Sequence, residues 1–456
     1  MMLRLVIAGT ALAVAGSTLG ATTSGSEAAQ ATSAVSASAP TAVRSSAPTP
    51  RKPPKRTYYT PKTGAKFNFP LAAKESRTIN KHIRLTIRSA RSGSFIRIIS
   101  WNYKSALYQD ALLAAHDRGV TVRVLMSRAM ARQQGPTGPF ARLKKGLSRH
   151  QAKRPPARRS WARTCAASCR GNSGIAHVKF YTFSNTGYTQ NVVIVSSANM
   201  TEVAARNQWN DAFTVVDNQG LFNKYVDIFK EATLDRRAHP PYQTYQVNKN
   251  LSTWFLPYLG PKATGDPVVK VLDKVRCKGA TGRSGIGGRT AIRIGQTAIL
   301  DDRGVAIARR LKQLYNSGCN IRIAYAVVGP NIKDILRSGS GRGPIPMQQI
   351  VQDFDGDGNF DRYIHMKSMT ISGVYGKQTN AHMVYTGTQN WTAVGLVSDE
   401  AGFLMNNETY ERQYAATINR IFNNPPPNPH PRPLATIVPQ KPTRAEHELA
   451  VELGRG

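Results

Sequence analysis

The segment Phe95-Ile96-Arg97-Ile98-Ile99-Ser100-Trp101 alternates in the manner of a strand. Ser105 to Arg118 carries apolar residues at helical spacing, and Val120-Thr121-Val122-Arg123-Val124-Leu125 reads as a second strand after Gly119. The same order returns later in the chain. Ala291-Ile292-Arg293-Ile294 predicts a strand, Arg303 to Asn316 a helix, and Asn320-Ile321-Arg322-Ile323-Ala324-Tyr325 a strand following Gly318-Cys319. Ile96 and Ile292 are 196 positions apart, and Val122 and Ile321 are 199 apart. Strands alternating with helices, written twice, predict an α/β protein of two lobes. Each lobe is built on a mixed sheet, and an internal pseudo-twofold relates them. The first lobe is placed at 58–248 and the second at 249–425.

The polar landmarks repeat as well. His177-Val178-Lys179 is echoed by His365-Met366-Lys367, Ser197-Ala198-Asn199 by Thr388-Gln389-Asn390, and Asp211 by Glu400. The aromatic helix around Tyr225 and Phe229 corresponds to the one ending at Ile421 and Phe422. One His-x-Lys means little in a chain with 62 Lys and Arg. Two of them, each ahead of a hydrophobic strand and each followed by a hydroxyl residue and an asparagine, supply an imidazole, an ammonium, a hydroxyl and an amide per set. Those groups suit a phosphate diester. One His serves as nucleophile or general acid, and Lys and Asn donors stabilise the charge that grows on the nonbridging oxygens.

These residues resemble the two HKD motifs of the phospholipase D superfamily, most of all its secreted bacterial branch. The resemblance runs from about residue 80 to 425. It is carried by His177 to Ser184 with Ser196 to Asn199, and by His365 to Ser372 with Gly387 to Asn390. It implies a sandwich of two α-β-α lobes with one active site at their interface. His177 is then the nucleophile that forms a phosphohistidine, and His365 the acid and base. Lys179, Lys367, Asn199 and Asn390 hold the phosphate, with Ser197 and Thr388 assisting. Asp211 and Glu400 accept a hydrogen bond from the distal nitrogen of each imidazole. The resemblance implies that the chemistry needs no metal or other cofactor. The third letter of the motif is normally Asp, and here Ser184 and Ser372 stand in its place. In the family that carboxylate supports local structure away from phosphorus, a role open to a hydroxyl.

Composition refines the picture. With 26 Asp and Glu, the formal charge is +36, while 41% of residues are hydrophobic. A chain with that much apolar material is not a disordered polycation. Met1 to Gly16 with the small residues after it reads as a signal peptide ending by residue 31. An Ala/Ser/Pro-rich basic linker follows over 32–57, and a Pro-rich tail occupies 426–456. The expected location is extracellular. Four cysteines in an exported chain predict disulfides, paired Cys165–Cys169 and Cys277–Cys319. Zinc is disfavoured because only one pair is close in sequence.

Asp353, Asp355, Asp357, Asn359 and Asp361 follow the opening of a calcium loop, yet position 12 is Ile364 and not Glu. A shorter structural calcium site closed by Asp361 is the expectation, pinning the segment that enters His365 as the Cys165–Cys169 bridge pins the one before His177. Arg142 to Arg163 holds nine Lys and Arg and no acid, which predicts a cationic insertion at the mouth of the site. Gly282 to Gly288 leads into a strand, not a helix, and reads as a loop.

Three functions remain open. The first is a secreted, monomeric phospholipase D that hydrolyses phosphatidylcholine-like lipids at an anionic membrane surface, with Trp209, Trp391, Leu396 and Phe403 as candidate acyl contacts. The second is a nuclease on DNA, and the third a catalytically degenerate polyanion-binding protein.

Overall fold

The computed structural model describes residues 57–260, 265–430 and Leu449. The expected signal peptide, nearly all of the linker and the tail beyond His430 lie outside the described residues, apart from Leu449. In the first lobe the strands are β1 (Gly64–Phe67), β2 (Phe95–Ser100), β3 (Thr121–Ser127), β4 (Trp161–Cys165), β5 (Phe180–Thr186), β6 (Thr189–Ser196), β7 (Gln208–Trp209) and β8 (Asp211–Val215). All but β7 form one sheet in the order β1-β8-β6-β5-β2-β3-β4. The later strands are β9 (Gln243–Asn248), β10 (Leu251–Leu256), β11 (Val275–Arg276), β12 (Ala291–Ile299), β13 (Asn320–Val328), β14 (Met347–Gln349), β15 (Val351–Gln352), β16 (Arg362–Ile364), β17 (Lys367–Tyr375), β18 (Gln378–Gly387) and β19 (Glu400–Asn406). They build a second sheet, β14-β13-β12-β17-β18-β19-β10-β9, with β11 on β17.

The two orders superpose strand for strand from β4 and β14 to β1 and β10. In both, two parallel strands meet an antiparallel partner: β2 pairs with β3 and β5, and β12 with β13 and β17. The second sheet takes its first strand from Gln243, just ahead of the boundary drawn at 249.

Each sheet is covered on both faces, which explains its long apolar strands. Ile96, Ile98, Val122 and Val124 pack outward on helices Thr78–Arg88 and Ala106–Asp117. Ile292, Ile294, Ile321 and Ile323 do the same with Ile307 and Leu311 of helix Asp301–Asn316. The opposite faces share one core spanning both lobes, in which Ile99, Leu125 and Val195 join Val384, Phe403 and Ile364. Two long helices fill this core. Gln219–Ala232 starts from Asn218, whose side chain accepts from Leu221 N–H, and Glu408–Asn423 starts from Asn407, which accepts from Tyr410 N–H. The rings of Phe213 and Phe403 meet across the lobes at 5.6 Å.

A third, small sheet ties the lobes together. β16 lies parallel on β7, with Tyr363 opposite Gln208 and Ile364 opposite Trp209, and β15 completes it. β15 and β16 form a hairpin whose turn is the acidic loop. This hairpin delivers the chain directly to His365, as β7 delivers it to Asn210. The cysteines pair as expected, Cys165 with Cys169 and Cys277 with Cys319.

Candidate active site

His177 and Lys179 sit immediately before β5, beyond the C-terminal end of β2, and His365 and Lys367 occupy the matching position before and at the start of β17. Alternation along an extended chain puts residues n and n+2 on one face, so each Lys returns to its own His. Lys179 Nζ donates to His177 Nε2 at 2.7 Å and to the His177 carbonyl at 2.7 Å. Lys367 Nζ donates to His365 Nε2 at 2.9 Å. An ammonium has only donors, so each Nε2 is the accepting nitrogen and the ring proton is on Nδ1. Both Nε2 lone pairs therefore face the ammonium groups, where a phosphate would be held.

The two Nδ1 protons cross the interface. His177 Nδ1 donates to Glu400 Oε1 of the second lobe at 2.7 Å, and His365 Nδ1 donates to Asn210 Oδ1 of the first lobe at 2.9 Å. Backbone bonds fix the crossing, from His365 N–H to the Trp209 carbonyl at 2.8 Å and from Asp399 N–H to the Ile175 carbonyl at 3.0 Å. Glu400 thus stands where the sequence placed it. Asp211 does not: the partner of His365 is its neighbour Asn210. β8 turns the Asp211 side chain toward the second lobe, where Oδ2 accepts from Thr386 Oγ1 and, at 3.1 Å, from the Tyr414 hydroxyl. Burial raises the Asp211 pKa, against the lowering effect of those hydrogen bonds. It clasps the lobes and orients no imidazole.

Ser197 and Thr388 also take a different place from the one expected. Ser197 Oγ donates to Asn210 Oδ1 at 2.9 Å, and Thr388 Oγ1 donates to Glu400 Oε2. They lock the groups that hold the imidazoles and do not themselves reach toward phosphate. Asn210 Nδ2 donates to Ala204 O and Gln208 Oε1, both at 3.2 Å, so its oxygen can only point at His365. Asn199 is different. Its amide is buried, and neither Oδ1 nor Nδ2 has a hydrogen-bond partner among the described residues, although Ser196 N–H ties this strand end to the Lys179 carbonyl at 3.0 Å. Such a group is costly unless a ligand completes it. Asn390 is buried at the equivalent place.

Trp101, read in sequence only as the end of a strand, belongs to the site. Its ring meets that of His177 edge-on at 5.5 Å and lies 5.6 Å below Lys179 Nζ. Its only sequence signal was its place at the C-terminal end of β2, where parallel strands present function.

Ser184 and Ser372 lie seven residues along their strands from the histidines, about 20 Å away. Ser184 Oγ accepts from Phe95 N–H at 2.8 Å, and Ser372 Oγ accepts from Gly285 N–H at 3.1 Å. Each hydroxyl caps backbone at the far end of its sheet. The glycine-rich segment is a loop held by that contact, with Gly285 at φ +71°.

The acidic turn brings oxygens of Asp353, Asp355 and Asp361 within 4.8 Å of one another. Burial, and then the neighbouring carboxylates, raise the Asp361 pKa. Asp357 turns away, its two oxygens accepting from Asn359 N–H at 2.8 Å and Nδ2 at 3.0 Å. Asp353 already accepts from Gly356 and Gly358 N–H, yet its oxygens retain lone pairs. Three of the five predicted residues are thus brought together.

Two expectations are corrected. Arg142–Arg163 is no insertion at the mouth; it folds as helix Pro139–Leu147, a turn at Pro156–Arg158 and edge strand β4. Arg154 donates to the Val120 and His116 carbonyls, and Arg158 to that of Gly93. Those carbonyls lie where β2 and β3 begin, at the opposite end of the sheet from His177. Trp209, Trp391, Leu396 and Phe403 are all at most 3% exposed, so none offers a surface to acyl chains.

Fold and site define a duplicated α/β protein that presents an imidazole and an ammonium from each half to one interface. Residues 83–233 match the family described as Cardiolipin synthase, PLD-like domain. That match lies within the first lobe and covers about a third of the chain. Among solved structures, it is similar to polyphosphate kinase from Porphyromonas gingivalis (11% identity, 86% of this chain and 55% of that one, TM-score 0.49). It is also similar to phosphatidylserine synthase from Haemophilus influenzae Rd KW20 (13% identity, 76% and 84%, TM-score 0.49). A third similar structure is the phospholipase D family member Nuc from Salmonella typhimurium (16% identity, 38% and 95%, TM-score 0.29). The chain thus spans about half the length of the polyphosphate kinase. No curated protein matches the chain.

Proposed function

We propose that the chain is a secreted phosphodiesterase working through a phosphohistidine. The supporting observation is the pair of imidazoles, each held by Nδ1 from the opposite lobe and facing an ammonium with Nε2, beside the unpartnered amide of Asn199.

His177 Nε2 attacks phosphorus, and the bond to the leaving alcohol breaks as His365, entering this step as the imidazolium with a second proton on Nε2, passes that proton to the alcohol oxygen. His365 then takes a proton from water, whose oxygen displaces Nε2 and frees the phosphate monoester. Lys179, Lys367, Asn199 and Asn390 stabilise the nonbridging oxygens. The asymmetry of the partners supports this assignment. Phosphorylation leaves the His177 ring cationic, and the Glu400 carboxylate compensates that charge. His365 Nδ1 instead donates to the neutral amide of Asn210, which leaves its imidazolium the readier proton donor.

One chain supplies both histidines, so the reading needs no second copy. Two disulfides fit an oxidising compartment. The acidic turn is read as a structural calcium site.

For substrate we carry the phosphatidylcholine-like reading, with recognition resting on the head-group phosphate because the expected acyl contacts are buried. Nucleic acid is the second reading, and the +36 charge favours it. The test is choline release from phosphatidylcholine vesicles beside plasmid nicking, each with wild type and His177→Ala. Choline release lost in the variant supports the lipid reading, and histidine-dependent nicking alone supports the nuclease. Silence in both assays, or turnover that survives in His177→Ala, defeats the proposal.

A further inference from the structure

Arg97 and Arg123 are register neighbours on β2 and β3, and Arg158 reaches them from the turn before β4. The guanidinium carbons of Arg97, Arg158 and Arg123 lie 4.5, 4.7 and 5.8 Å from the centre of one ring, that of Phe95. Arg163 lies 4.6 Å from the centre of Trp161, which Arg123 also approaches. Burial, then Arg123 and Arg158, push the Arg97 pKa down to about 10. Arg97 is half-buried and has no side-chain hydrogen bond or ion pair among the described residues.

The second lobe supplies an internal control. Arg293 and Arg322 are neighbours on β12 and β13, at the same offsets of 196 and 199 that relate the other landmarks. There Arg293 is satisfied within the fold, whereas in the first lobe the carbonyl bonds fall on Arg123, which donates to the Arg159 and Ala157 carbonyls at 3.3 and 2.8 Å and leaves Arg97 without them. Arg293 Nη1 donates to the Ile292 and Asn320 carbonyls, both at 2.9 Å, and Glu411 on the facing helix supplies an opposing charge. Glu411 stands four residues after the cap Asn407, and four residues after the cap Asn218 the first lobe has Phe222. Both halves have the arginines, and only one has the carboxylate.

We propose that Arg97, Arg123 and Arg158 form a second anion site, for a phosphate group, distinct from the histidine site. Arg97 is four residues, about 13 Å, along β2 from Trp101 and the imidazoles. Guanidinium forks match phosphate oxygens in pairs, and the rings of Phe95 and Trp161 hold the forks in place. A bound phosphate takes the role that Glu411 has in the other lobe. This inference does not depend on the reaction assigned to the histidines.

The test is calorimetric titration of the full chain with inorganic phosphate at low salt, on wild type, Arg97→Met, Arg158→Gln and a Lys179→Met/Lys367→Met double variant. The wild type is expected to take two phosphates and the double-lysine variant one. Each arginine variant should retain the interlobe site and lose the second, or bind there about tenfold more weakly. Near-UV circular dichroism verifies that each variant is folded, and exposed Arg158 serves if the Arg97 variant is not. Co-sedimentation with phosphatidylcholine vesicles, with and without phosphatidate, identifies the source. An Arg97-dependent gain with phosphatidate assigns a lipid-borne phosphate, and its absence beside an Arg97-dependent titration assigns a free one. Two phosphates bound by both folded arginine variants as tightly as by wild type, or none bound by the double-lysine variant, overturns the proposal.

Discussion

Replacing Glu400 with Gln removes one charge and almost no volume, and so isolates what the carboxylate does for His177. In the native protein Oε1 accepts from His177 Nδ1 at 2.7 Å and Oε2 from Thr388 Oγ1. The side chains of His177 and Glu400 are 2% and 0% exposed, so solvent screens the pair little. A hydrogen bond to a charged group is worth about 1.5–3 kcal/mol, roughly twice a neutral one. The ring becomes cationic as Nε2 bonds to phosphorus. A neutral amide still accepts the bond and therefore forfeits about half of that, about 0.8–1.5 kcal/mol in the transition state, which is about four- to thirteenfold in rate. The amide also presents an N–H to Thr388 Oγ1, which already accepts from Ala401 N–H at 3.1 Å. The assay is rapid mixing with a phosphorus-labelled diester, quenched in alkali, where phosphohistidine survives. Labelled protein should form about four- to thirteenfold more slowly, with KM unchanged because Glu400 touches no substrate. Labelling at the wild-type rate would refute the claim that this carboxylate compensates the nucleophile.

Burial lifts the Asp399 pKa to about 6 from the ordinary 3.8, against the lowering effects of Arg170 and of the N–H groups of Cys169 and Arg170 that its oxygens accept. A raised carboxyl stabilises the fold below its unfolded pKa and loses that contribution as pH climbs through the folded one. Urea unfolding should therefore show stability falling by about 3 kcal/mol between pH ~4 and above ~6 on this account, and Asp399→Asn should flatten that part of the curve. Ser184→Ala and Ser372→Ala each strand one backbone N–H far from phosphorus; a loss of about 1 kcal/mol in chemical denaturation with kcat within twofold is expected. A large kcat loss would instead tie the motif's third position to chemistry. Chelating calcium should lower the melting temperature of the wild type and leave an Asp353→Asn/Asp361→Asn variant unmoved. Equal melting curves for the wild type with and without chelator would remove the ion from the acidic turn.

The sequence by itself determined the duplication, because alternation and helical spacing are local and were written twice at nearly constant offset. It determined the two His-x-Lys pairs for the same reason: a two-residue step puts both side chains on one face of any extended chain. The even cysteine set paired as local separation suggested. What only the tertiary structure decided were the contacts between lobes. Asp211 and Asn210 are adjacent in sequence, and a one-residue step in an extended segment reverses the side chain's direction. Which of them meets His365 was fixed by β7 pairing with β16, some 155 positions away. For the same reason Ser197 and Thr388 proved to lock the orienting groups, Trp101 joined the site, and Arg154 and Arg158 of the basic stretch went to the opposite end of the sheet, ahead of β4. Charge counts and motif spacing name the chemistry a chain carries. Strand register, a long-range property, decides which atoms meet.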